Sequence, residues 1–199
     1  MKIALLAALA CGLAITAASA DEKSAQDALA KVTSSCQSCH GAGGDSVKSN
    51  VPRLNGQTAG YLTARLKAFL DPTRQTPNAT HAMWDIASHI GDTTVPEIAK
   101  YYARQAPAEA HNTGALAMEG KKLFEHGAGR NVPACQACHG LHGEGMGLAA
   151  RLAGQHADYL AYQLNAFNVT MRDQDAMNHV SMNFTEAQIK ALVAYLAKD

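Results

Sequence analysis

The chain has 199 residues, 47% of them hydrophobic but only 6% aromatic, with seventeen Lys and Arg against seventeen Asp and Glu. That length fits one ordinary domain or two small ones. A net charge of zero, with no basic patch, argues against nucleic acid or an anionic membrane surface as a partner.

Residues 1–20 read as a leader. Lys2 gives a positive start, Ile3 to Ile15 form an apolar run of thirteen residues, and Ala18-Ser19-Ala20 makes a small-x-small cleavage site before Asp21. The run is too short to span a bilayer. The pattern predicts a secretory signal peptide removed near Ala20 and an exported protein. Cys11 would leave with it; a lipoprotein reading of Cys11 would leave a very short apolar stretch before the cysteine. No later segment approaches eighteen apolar residues, so no transmembrane segment is expected.

A first helix is predicted from about Ala25 to Ser34, followed by CQSCHG at 36–41. Leu62, Leu66 and Phe69 then repeat at i, i+4, i+7, the spacing of one helix face. Met83 follows, and another helix runs from Val95 through Ile98 to Tyr102, with Pro96 near its start. Residues 105–114, QAPAEAHNTG, are poor in apolar residues and read as a linker.

The same order then repeats. A helix is predicted over Leu116 to His126, CQACHG stands at 135–140, and Leu160, Leu164 and Phe167 recover the i, i+4, i+7 face. Met177 precedes a final stripe of Ile189, Leu192, Val193 and Leu196, with Thr185 as N-cap. RLNGQTAGYLTARLKAFL (53–70) falls on RLAGQHADYLAYQLNAFN (151–168) at an offset of 98; the cysteine motifs align at 99 and the chain ends at 94. Drifting offsets are what loop insertions in two copies of one domain produce. The prediction is an all-α protein of two tandem domains, 21–107 and 108–199.

Cys-x-x-Cys-His is the attachment signature of c-type haem. Cysteines three apart on one helical turn aim both sulfurs at the two vinyl groups of a porphyrin, and the next residue brings an imidazole under the iron. Cys36 and Cys39 would hold one haem with His40 as ligand; Cys135 and Cys138 would hold a second with His139. Gly41 and Gly140 follow where the chain must turn beside the ring. Three other readings compete. Zinc pairs usually lie 15–20 residues apart, a thioredoxin-like pair needs a βαβ context, and plain disulfides leave the repeated histidine without a reason. A thin all-α core of about ninety residues also gains from such a staple.

The opposite face of each iron decides the chemistry. A methionine there closes the site for electron transfer, whereas an open face permits catalysis. Met83 is the first domain's sole methionine, and Met177 occupies the aligned register, each seven residues before an apolar partner (Ile90, Phe184). Met118, Met146, Met171 and Met182 are rivals without a counterpart. A methionine can also be core filler, and His81, His89 or His179 would give a bis-histidine haem. These three, with His111, His126, His142 and His156, are read as surface or loop residues. Arg53 and Arg151 are aligned; their guanidinium forks suit haem propionates or else stand in solvent.

With its two haem motifs and the RLxGQ that follows each, the mature chain resembles the di-haem cytochrome c4 family. The resemblance implies two class I cytochrome c domains facing each other, His/Met ligation by His40 and Met83 and by His139 and Met177, and a periplasmic one-electron carrier rather than an enzyme. It implies redox protein partners: a donor such as a quinol–cytochrome c reductase, a terminal oxidase as acceptor, and room for peripheral membrane association. A dehydrogenase's electron-accepting di-haem subunit, as in flavin-dependent sulfide oxidisers, and a di-haem enzyme are the alternatives. One departure stands out: the family's proline before RLxGQ is present as Pro52 but replaced by Ala150, which leaves the support of His139 open.

Overall fold

A computed structural model of the chain describes residues 26–71, 80–110, 112–169 and 175–198. The leader at 1–20, His111 and Met171 lie outside the described residues, as does the side chain of His81. Among the described residues, the chain is helical and has isolated β-bridges but no strands, as the sequence predicted. No described helix is long and apolar enough to cross a membrane.

Helix α1 covers residues 26–40 and a short 3-10 turn, Ala42–Gly44, follows it. Then come α2 (Ala59–Leu70), α3 (Thr80–Ser88) and α4 (Val95–Ala103). The second copy holds α5 (Ala115–His126), α6 (Gln136–His139), α7 (Ala157–Asn168), α8 (Asp175–Ser181) and α9 (Glu186–Leu196). The predicted caps are present. Pro96 stands in the first turn of α4, where its missing N–H costs nothing. Thr185 and Gln188 close a capping box on α9.

One sequence expectation is corrected. The first helix does not end before the cysteine motif but runs through it to residue 40, because no glycine interrupts it. In the second copy Gly127, at φ 70°, caps α5, and the motif sits on the separate turn α6. Met83 and Met177, which the sequence assigns to no element, lie on helices α3 and α8.

Each copy has its own core. In the first, Leu62, Ile90, Val95, Ile98, Ala99 and Tyr102 are buried together, with Leu29, Val32 and Cys36 of α1 packed against them. In the second, Phe124, Leu160, Phe184, Ile189, Leu192 and Leu196 form the equivalent cluster, joined by Cys135 and Leu164. Helix α5 crosses α9 closely: a Cβ on Gly120 would run into the Ala191 carbonyl. In both copies the first cysteine of the motif packs against the core of its own domain.

Candidate haem sites

Cys36, Cys39 and His40 occupy the last turn of α1; Cys135 is the N-cap of α6, with Cys138 and His139 on its single turn. Helical geometry sets the first cysteine of each pair inward and the second outward: Cys36 and Cys135 are partly buried, Cys39 and Cys138 exposed. Burial pushes the Cys135 thiol up to about 11 and raises that of Cys36 as well. None of the four pairs in a disulfide. A sulfur pair spaced this way meets the two points that covalent attachment of one porphyrin requires.

Gly41 and Gly140 turn the chain immediately afterwards at φ 78° and 83°. At Gly41 the close approach is to backbone, since a Cβ would strike the Asp45 carbonyl. Only glycine adopts this conformation without strain.

The histidines are tied from behind. His40 Nδ1 lies 2.8 Å from the Pro52 carbonyl, and His139 Nδ1 lies 2.8 Å from the Ala150 carbonyl. A carbonyl can only accept, so each Nδ1 carries the proton and donates it. That tautomer leaves Nε2 with its lone pair available to a metal. Both imidazoles are buried. Burial holds their pKa below the ordinary histidine value, more than the carbonyl bond lifts it. Neutral imidazoles with one nitrogen anchored are what haem iron needs. The Pro52/Ala150 difference therefore leaves this bond intact, because the acceptor is a main-chain oxygen that either residue supplies.

Met83 lies in α3 and Met177 in α8; both are half-buried. The rivals Met118, Met146 and Met182 are 65%, 52% and 55% exposed. His89, His126, His142 and His179 are exposed as expected. His156 is not: it is 6% exposed, because its neighbour Gln155 anchors this stretch in the domain interface and its own N–H is held by that side chain at 3.0 Å.

The arginines are not solvated either. Arg53 reaches across to the second domain and donates to the carbonyls of Gly154 (2.9 Å) and Lys198 (2.8 Å), with Asp45 at 3.1 Å. Arg151 donates to the Ala153 and Ala108 carbonyls and meets Glu109 at 3.2 Å. Two side chains that the sequence reading passed over complete this seam, Gln57 and Gln155; their place in the repeated RLxGQ was the available signal. With Asn55, these residues line one small interdomain pocket.

Comparison with known proteins follows the same division. The family model for cytochrome c matches twice, over residues 27–106 and 117–198. A cytochrome c-552 of Acidithiobacillus ferridurans is 38% identical over 172 residues, 84% of this chain and 74% of the relative. A thiosulfate dehydrogenase electron acceptor of Thiomonas intermedia is 35% identical, over 82% of this chain and 77% of its own. The crystal structure of reduced cytochrome c4 from Pseudomonas stutzeri superimposes with a TM-score of 0.76 at 32% identity, covering 86% of this chain and 96% of that one. Cytochrome c domains bind c-type haem covalently, and Cys36/Cys39 and Cys135/Cys138 fit the attachment motif, one pair in each domain. Two helical cores, each closing over a Cys-x-x-Cys-His turn whose histidine is anchored through Nδ1, make this chain a tandem, di-haem member of the cytochrome c family, of the cytochrome c4 kind.

Proposed function

We propose that the mature chain, residues 21–199 after cleavage near Ala20, is a periplasmic one-electron carrier that delivers electrons to a terminal oxidase and catalyses no reaction of its own. Its domains run from 21 to 107 and from 108 to 199. His40 with Met83, and His139 with Met177, hold the two irons. Each bound haem iron supplies the chemistry by gaining and losing one electron; the protein's part is to keep both axial sides occupied and the surroundings rigid.

The observation that carries this reading is the agreement between the two copies. Each presents one anchored, buried imidazole and one half-buried methionine in matching register, while the competing described methionines face solvent. A closed pair of ligands suits electron transfer and leaves no position for a substrate.

A quinol–cytochrome c reductase fits as donor. A second reading takes this chain as the electron acceptor of a dehydrogenase, favoured by the name of the Thiomonas intermedia relative. Stopped-flow mixing separates the two. On the first reading the ferrous protein is oxidised rapidly by membranes containing a terminal oxidase. On the second, the ferric protein is reduced rapidly by a thiosulfate dehydrogenase with thiosulfate. Turnover of peroxide or thiosulfate by this chain alone, at about 1–10³ per second, defeats both.

A further inference from the structure

The last helices of the two domains carry Tyr101-Tyr102 and Tyr195-Leu196 in their final turns. The structure makes Tyr102 and Leu196 equivalent in three ways. The Tyr102 carbonyl accepts from Gly56 N–H at 2.9 Å, and the Leu196 carbonyl from Gly154 N–H at 2.8 Å. A Cβ on Gly44 would meet Tyr102 Cδ1 at 2.7 Å, and one on Gly143 would meet Leu196 Cδ2 at 3.1 Å. Both side chains belong to the core that receives the first cysteine of their own haem motif. At one matched position, then, the first domain has a phenol and the second an isobutyl group.

Tyr102 is 1% exposed, and its hydroxyl is buried without a hydrogen-bond partner in the protein. Leaving a buried hydroxyl unpaired is destabilising, and phenylalanine would fill the same space without that cost. The polar neighbour is Cys36: burial raises the thiol's pKa, and the Tyr102 hydroxyl beside it draws it part of the way back. Cys36 packs against the cluster to which Tyr102 belongs, so its sulfur is the polar group at the hydroxyl's side. The thiol instead donates to the Val32 carbonyl at 3.4 Å. Once that sulfur is a thioether it has no proton to donate, and its lone pairs become acceptors.

We propose that the Tyr102 hydroxyl serves the first haem, donating a hydrogen bond to the thioether sulfur of Cys36, and that it sets this haem apart from the second, where Leu196 offers no donor. It is a positioning and tuning residue, not an iron ligand. The O–H dipole places its positive end toward the haem. Reduction removes a positive charge there, so this dipole favours the ferrous over the ferric state only weakly but in a fixed direction, strengthened by the dry surroundings. The phenol raises the first haem's potential. This inference rests on covalent haem attachment and on neither identity of the redox partners.

The test is a Tyr102→Phe variant of the full holoprotein, titrated by NMR through the haem-methyl signals of each ferric haem. The first haem is the set that cross-relaxes with the ring protons of residue 102. Its reduction equilibrium should move toward ferric by about threefold to tenfold, tenfold being about 59 mV for one electron. The second haem should not move. A Tyr102→Leu variant, which installs the second domain's residue, should shift the first haem in the same direction. Unchanged potentials together with a higher melting temperature would mean that the hydroxyl is an unpaired liability, and would overturn the inference. Equal shifts in both haems would overturn it too. If Tyr102→Phe attached a single haem, the phenol would be needed for folding, and the same titration of Tyr102→Trp, which restores a ring donor, would have to recover the first potential or the inference fails.

Discussion

The side-chain amide of Gln57 clasps the main chain of Arg151 from both sides: its oxygen accepts from Arg151 N–H at 2.6 Å and its nitrogen donates to the Arg151 carbonyl at 2.9 Å. Gln155 does the same to Arg53, at 2.8 Å and 3.0 Å. One domain's glutamine completes the other's backbone, and the two clasps are related as the two copies are. Both glutamines are 6% exposed, so these bonds form where water competes poorly.

Removing either clasp should therefore loosen the domain pair rather than one domain. Gln57→Ala strands a buried N–H and a buried carbonyl of Arg151, a cost of about 2 kcal/mol. That predicts a melting temperature about 4–8 °C lower. Calorimetry of Gln57→Ala/Gln155→Ala should resolve two transitions in place of one, and the haem absorption of each domain should be retained. A single unshifted transition would show that the seam contributes nothing to stability.

The proposed axial methionines give the second prediction. Ligand identity spreads haem potentials over about 0.8 V, and thioether sulfur favours ferrous iron relative to a second imidazole. Met83→His should lower one of the two potentials substantially and remove about half of the weak sulfur-to-iron charge-transfer band of the ferric protein. Met177→His should remove the other half. Met182→Leu should change neither, since Met182 is 55% exposed, and Met171→Leu should be equally silent. Loss of half the band in Met182→Leu, with Met177→Leu silent, would place the ligand elsewhere.

The two glycines behind the haem motifs should differ. Both sit at positive φ, where any side chain costs about 1–3 kcal/mol. Beyond that, the Cβ of Gly41→Ala strikes the fixed Asp45 carbonyl, whereas that of Gly140→Ala meets the carboxylate of Glu144, an exposed side chain that can yield by giving up the bond it accepts from the His142 N–H at 2.7 Å. Gly41→Ala should thus lose more stability, and more haem in the purified protein, than Gly140→Ala. Equal losses would show that backbone strain alone governs the position.

The Pro52 and Ala150 pair makes a prediction of near silence. Since each histidine is held by a main-chain oxygen, Pro52→Ala and Ala150→Pro should leave both potentials and the Soret bands in place. A potential shift approaching tenfold in the reduction equilibrium, about 59 mV, in either variant would show that the proline ring itself sets the imidazole.

Covalent chemistry is the feature most local in sequence. Cysteines three apart with a histidine behind them fall on one helical turn wherever that turn forms, so attachment residues and haem number were legible from Cys36–His40 and Cys135–His139 alone. Helix faces at Leu62/Leu66 and Leu160/Leu164, and the Thr185 cap, were legible for the same reason: they depend on neighbours within a turn or two. Even the missed helices α3 and α8 carried a local signal, Met83/Ile86/Ala87/Ile90 and Met177/Val180/Ser181/Phe184 at helical spacing. The seam was different. Arg53 and Arg151 looked like solvated or propionate-binding cations because most of the carbonyls they reach lie forty or more residues away in the chain. Their acceptors, Gly154 with Lys198 and Ala108 with Ala153, are supplied largely by the other domain or the linker. The use of the Pro52 and Ala150 carbonyls by the histidines, and the unpaired hydroxyl of Tyr102, are likewise invisible in one dimension. Sequence determined the chemistry that spans a single turn; contacts between segments 11 to 145 residues apart were decided only when the chain folded and excluded water from them.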